Sequence, residues 1–153
     1  MKKGLTIDQI HNGVKSTLSM GISPGLNLIW GFPGDTVENL QAATDFLMKY
    51  DPAHELRTIR PVTPYPGTAL YAKAVKMGLL SGPQDFYENK HVNSDLFTVN
   101  FMDISTEEAH RHLMGANRAL YQNYIEKRHS QFLNQTRQLY VEGNTSFRGF
   151  RDV

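Results

Sequence analysis

Two Pro–Gly turns hold the residues whose types and spacing are best suited to chemistry. One is Gly31-Phe-Pro-Gly34-Asp-Thr and the other Pro61-Val-Thr-Pro-Tyr-Pro-Gly67-Thr. Glycine lets a ligand approach the backbone closely, and proline fixes a turn without leaving a donor to satisfy. Each turn follows a strand-like run and precedes a helical pattern, so both belong at the carboxyl ends of adjacent parallel strands, side by side on one face. Two readings stay open: plain tight βα connections, or a seat for a neutral or zwitterionic ligand held by backbone and apolar contacts. A phosphate loop does not fit, because no Gly-Lys-Ser/Thr follows Gly34.

Other reactive side chains give weaker patterns. His110 and His112 are two residues apart on a helix and point about 200° from one another, so they do not chelate together. His11, His54, His91 and His129 are scattered, and all six histidines read as core or solvated groups. Asp35 and Glu38 have the spacing of a capping box rather than of a catalytic pair. Tyr65 and Tyr87 leave two readings open, a place at the mouth of a barrel or aromatic core, of which core is the safer.

The elements that position the turns follow from periodicity and caps. Thr6-Ile7-Asp8-Gln9 opens a helix to about Met20, stopped by Gly21. Leu26–Trp30 is a short buried strand, and a helix runs from the Asp35 cap to about Tyr50. Glu55–Val62 alternates apolar and polar residues as a second strand, and Thr68 caps a short helix closed by Gly78. This repeated βα arrangement predicts parallel strands. Beyond it the pattern is irregular, with one further strand expected over Leu96–Met102. Ser105-Thr106-Glu107-Glu108 opens a long helix reaching about Val141, with Ala109, Leu113, Ala116, Leu120, Tyr124, Phe132 and Leu133 on its apolar side. The expected divisions are 3–80 for the βα units, 81–104 for an irregular connector, 105–142 for the long helix and 143–153 for a mobile tail.

Composition narrows the class. The 153 residues are 40% hydrophobic and 20% charged, with a net charge of +1, which describes a globular chain with no argument for a polyanionic partner. No run of 18 apolar residues and no signal-peptide pattern is present, so a soluble cytoplasmic protein is expected. The absence of cysteine excludes disulfides, thiolate zinc sites and a cysteine-held iron–sulfur cluster within this chain.

The stretches KGLTIDQI, LNLIWGFPGDTVENLQAATDFL and LRTIRPVTPYPGTALYAKAVKMGLL together resemble the carboxyl-terminal half of a radical S-adenosylmethionine barrel. The branch resembled is the one whose members often carry a cobalamin-binding domain. The resemblance covers about Lys3 to Leu80. It implies an α/β fold, a partial TIM-like (βα) barrel made of roughly the last two βα units, with a helical carboxyl-terminal extension. It also implies that Ile29, Gly31, Pro33 and Gly34 on one strand, and Pro61, Val62 and Thr63 on the other, pack against the adenosyl part of S-adenosylmethionine. Arg60 then reaches a carboxylate or substrate anion, or stays on the surface, and Tyr65 is a weak substrate-side candidate.

The three-cysteine motif of that family is missing, so the iron–sulfur cluster and any cobalamin would belong to upstream sequence. The expectation is a fragment of a longer enzyme, inactive alone, whose Met1 is not the enzyme's start. The parent reaction implied is reductive cleavage to a 5′-deoxyadenosyl radical, or cobalamin-dependent methyl transfer. The partner implied is the missing half of the barrel or a chain supplying it, with self-association through an exposed sheet as another outcome and no membrane partner. Two other classes compete: a non-catalytic interaction module, and a nucleic-acid-binding accessory protein. The latter rests on Arg111, Arg118, Lys127, Arg128 and Arg137, with Arg148 and Arg151 beside Phe147 and Phe150. Interleaved Glu107, Glu108, Glu126 and Glu142 make a solvated helix the better reading of that set.

Overall fold

The computed structural model describes residues 4–146. Phe147, Arg148, Phe150 and Arg151 of the tail, and Lys3 at the start of the 3–80 segment, lie outside that range.

Three helices start where short polar side chains replace missing helical partners. Thr6 caps α1 (Ile7–Ser19), with the Gln9 side chain returning to the Thr6 N–H. Thr68 caps α3 (Ala69–Lys76) through the Tyr71 N–H, and Ser105 caps α5 (Thr106–Tyr140) through the Glu108 N–H. Helix α2 (Val37–Tyr50) corrects the expected cap. Its N-cap is Thr36, in reciprocal hydrogen bonds with Asn39, and not Asp35. Asp35 turns backwards instead, and its Oδ2 accepts from the N–H groups of Gly31 and Phe32 at 2.9 Å each.

Between α1 and α2 lies β1 (Leu28–Trp30), and between α2 and α3 lies β2 (Ile59–Pro61). They pair in parallel with Leu28 opposite Ile59, Ile29 opposite Arg60 and Trp30 opposite Pro61. Side chains alternate across the pair. Trp30, Ile59 and Pro61 are buried on one face, and Ile29 and Arg60 point to the other.

The expected partial TIM-like barrel is not there. Among the described residues the sheet has two strands of three residues each, and the rest is mostly helix. The strand expected over Leu96–Met102 is irregular, because Asn100 bonds the Ile104 carbonyl and the Met102 N–H with its own side chain and bends the chain. The connector before it contains a short turn, α4 (Pro83–Asp85), that widens into a π-helical turn over Phe86–Lys90. The second strand is also shorter than its alternation suggested. Arg57 is drawn inward to Asp51 and Glu55, and pairing starts only after Thr58.

One further contact closes the sheet without another strand. The Asn117 side chain of α5 accepts from the Ile59 N–H at 2.8 Å and donates to the Ile59 carbonyl at 3.0 Å. A single amide thereby substitutes for a neighbouring strand on the outer edge of β2. Helix α5 packs on α2 and β2, and Trp30, Leu40, Leu47, Ile59, Phe97, Ala109, Leu113 and Leu120 form the core between them. The apolar stripe expected on α5 holds through Leu120, whereas Leu133 is exposed. Farther along, Lys127 Nζ bonds the Met48 and Asp51 carbonyls at 2.9 Å each and so caps the end of α2. A second core of Val62, Ala74, Leu80, Phe86, Val99 and Phe101 seats α3 against the connector. No helix among the described residues is long and apolar enough to cross a membrane.

Candidate functional site

The face of β1 and β2 turned away from the core opens onto a cleft of about 800 Å³. Its floor is the outward row of the two strands. On β2 and its approach the period-2 alternation puts Leu56, Thr58 and Arg60 there, and on β1 it puts Ile29. Phe32 and the turn after β2, with Val62, Thr63 and Tyr65, form one end. Ile29, Leu56 and Tyr65 are 45%, 46% and 48% exposed, so an apolar surface faces solvent where a parallel sheet is ordinarily covered.

Six of the nine residues singled out in the sequence line this cleft: Ile29, Arg60, Pro61, Val62, Thr63 and Tyr65. The other three do not. Gly31 is buried on the core side, at φ +104°, where a Cβ would stand 2.5 Å from the Phe97 ring. Its glycine is therefore required by packing under Phe97 and by a backbone that L side chains rarely adopt. Pro33 and Gly34 form the turn into α2 away from the cleft lining. Asp35 occupies the Gly31 and Phe32 N–H groups, so those two donors serve the turn's own fold.

Tyr65, read either as aromatic core or as a weak substrate-side candidate, stands at the rim, with its ring 5.7 Å from Phe86 and 5.4 Å from His91. Tyr87 is exposed as well. Phe32 and Leu56 were missed as lining residues. The alternation through Glu55–Val62 already put Leu56 on the Arg60 face, which was the available signal.

The charged side chains lining the cleft are Glu55, Arg57 and Arg60. Arg57 is buried, with Nε 3.7 Å from Asp51, Nη2 3.1 Å from Glu55 and Nη2 3.0 Å from Ser23 Oγ. Its charge is compensated twice. Arg60 lies in the open, with Nε 3.6 Å from Asp95. Among the described residues no group of three or more His, Cys, Asp or Glu is placed to hold a metal ion. His110 uses Nε2 to accept from the Phe97 N–H at 3.2 Å, and His112 Nε2 lies 4.0 Å from Glu108 on its own helix.

This chain is similar to a protein of Pyrococcus horikoshii named as an uncharacterized methyltransferase, with 37% identity over 78 residues. Those residues are 51% of this chain and 17% of that protein, so the chain spans about a sixth of its relative's length. No protein-family profile matches the chain. No solved structure matches it either. These findings correct the family reading. The likeness found is to a protein named for methyl transfer, and nothing in it supports a radical S-adenosylmethionine enzyme, an iron–sulfur cluster or a cobalamin. The barrel that the resemblance implied is likewise absent from the described residues.

Proposed function

We propose that this chain supplies part of a methyl-transfer site, in which the open face of β1 and β2 holds S-adenosylmethionine as the methyl donor. The observation that carries this reading is the cleft itself, which gathers Ile29, Arg60, Val62, Thr63 and Tyr65 beside an exposed apolar floor. The name of the Pyrococcus horikoshii relative supports the reaction class.

The residues suit such a donor. At about 800 Å³ the cleft lies within the roughly 300–1,000 Å³ of small-molecule sites. Ile29, Leu56, Phe32 and Tyr65 offer a flat apolar bed for an adenine ring. Thr58 and Thr63 bring hydroxyl-bearing side chains to the same lining, and Arg60 brings a positive charge. Because Asp35 already holds the N–H groups of the first turn, the donor is gripped by strand side chains and not by a glycine-rich anion nest. When bound, S-adenosylmethionine provides an electrophilic sulfonium methyl. The chain's own share is to bind and orient it. No residue of this chain is assigned to the methyl acceptor.

Equilibrium dialysis of the full chain with labelled S-adenosylmethionine tests this. Binding is expected, and Ile29→Asp, which puts a carboxylate into the apolar floor without touching the core, should weaken it by about tenfold or more. A wild-type chain that binds none would overturn the proposal. A second reading, a non-catalytic interaction module, is favoured by the same uncovered sheet face. Concentration-dependent association in sedimentation, with no ligand binding, would support that reading in place of the first.

A further inference from the structure

The segment 91–98 runs beside the cleft and touches it at three points. The His91 ring meets Tyr65 edge-on at 5.4 Å and stacks on Phe86 at 5.0 Å. Ser94 forms part of the cleft lining. Asp95 places Oδ1 3.6 Å from Arg60 Nε. The segment has its own supports, so that ion pair is not what shapes it. Asn93 accepts from the Asp95 N–H through Oδ1 at 2.8 Å and from the Leu96 N–H through its carbonyl at 3.2 Å. His91 Nδ1 bonds Thr98 Oγ1 at 3.0 Å, and the Phe97 N–H is held by His110. A built turn therefore presents the Asp95 carboxylate to Arg60.

The charges lining the cleft are Glu55, Arg57 and Arg60. Arg57 has an exposure of only 6% and is enclosed by Asp51 and Glu55, which leaves Arg60 as the cation of the cleft that a solute can reach. Arg60 and Asp95 are 61% and 66% exposed. An ion pair that wet is weak enough for a carboxylate delivered by a bound ligand to displace it. The planar guanidinium fits a carboxylate in two-point geometry, which the long single Nε contact with Asp95 does not use.

We infer that the cleft recognises a carboxylate-bearing ligand at Arg60, and that Asp95 is a tethered competitor that occupies Arg60 until such a ligand displaces it. The identity of the ligand rests on the methyl-donor reading, since S-adenosylmethionine carries a carboxylate. The exchange at Arg60 does not rest on it. Binding then frees the Asp95 carboxylate, while the turn that carries it keeps its own hydrogen bonds, so occupancy of the cleft and the pairing of Asp95 are linked.

The test uses the full chain as wild type, Asp95→Asn and Arg60→Gln. Both positions are exposed, so folding is preserved. Calorimetry measures S-adenosylhomocysteine against 5′-methylthioadenosine, an adenosine thioether without a carboxylate. NMR follows the Arg60 Nε–H as succinate is added. Asp95→Asn should tighten S-adenosylhomocysteine by up to about fivefold, roughly 1 kcal/mol at 1.4 kcal/mol per decade, and leave methylthioadenosine unchanged. Arg60→Gln should remove the difference between the two compounds. If both adenosyl compounds bind but Asp95→Asn changes neither, the competitor is overturned while the methyl-donor reading stands. If neither binds but succinate shifts the Arg60 Nε–H, and more strongly in Asp95→Asn, the competitor stands and the donor reading falls. If no carboxylate reaches Arg60 in either protein, the inference is wrong.

Discussion

Gly31 shows how one residue can look like a ligand contact and be a packing contact. Its position after a strand and before Pro33 and Gly34 is that of a glycine cleared for a ligand, yet the space beside it is filled by the Phe97 ring. Gly31→Ala should destabilise the fold by about 3 kcal/mol, combining left-handed strain with overpacking. Phe97→Leu in the same chain should recover part of the loss. Urea denaturation of the two variants and the double variant measures this, and additive losses would contradict the contact. Asp85 is held by a smaller local network. Its carboxylate accepts from the Ser81 N–H at 3.0 Å and from Asn89 Nδ2 at 3.2 Å, which holds it below the ordinary aspartate range, with the Ser81 bond first. A lowered folded-state value means stability that is present above the unfolded value of about 3.9 and lost as the pH falls through the folded one. Thermal melts should therefore show the gap between wild type and Asp85→Asn closing as the pH is lowered from about 6 towards 3. A gap independent of pH would contradict the assignment.

At the scale of elements, the chain relies on side chains where a larger sheet would use strands. Asn117 closes the outer edge of β2, and Pro61 on the same strand has no N–H to leave unpaired. Asn117→Leu should cost about 2 kcal/mol, because it leaves the Ile59 N–H and carbonyl without partners in the protein. Chemical denaturation should show this loss, and amide exchange should be fastest at Ile59. An unchanged exchange rate there would mean that the edge is held by something else. The helices were legible in the sequence because capping and amphipathic spacing are local. Thr6, Thr68 and Ser105 each mark a start that the structure keeps. The cap of α2 was misplaced by one residue, since Asp35 and Thr36 are both good caps and only the fold shows that Asp35 is drawn back to Gly31. The strand expected at Leu96–Met102 failed for a comparable reason: Asn100 diverts the backbone by bonds that apolar periodicity does not register.

Across the whole molecule, the two Pro–Gly turns were legible as features at the ends of parallel neighbours, but the architecture around them was not. A family resemblance carried by about half the chain suggested a barrel. The described residues show a two-stranded sheet backed on one face by α2 and α5 and uncovered on the other. The site followed the same division. Ile29 and Arg60 were named through the resemblance, and strand alternation accounts for their place on the open face, whereas the partners that matter at the rim come from about 30 residues further on. His91 and Asp95 reach the cleft through a turn held by Asn93, Thr98 and His110, and no spacing rule connects them to Arg60 or Tyr65. What the molecule offers is thus a solvent-facing sheet surface with one accessible arginine, on a chain that matches 17% of the length of its methyltransferase-named relative.

Amide and methyl chemical-shift mapping of the full chain during titration with S-adenosylmethionine tests whether the open sheet face holds the donor. Shifts should concentrate at Ile29, Leu56, Arg60, Val62, Thr63 and Tyr65, with residues 93–96 following and the α2–α5 core unmoved. Saturating donor with no shift on that face, or shifts confined to another surface, would contradict it.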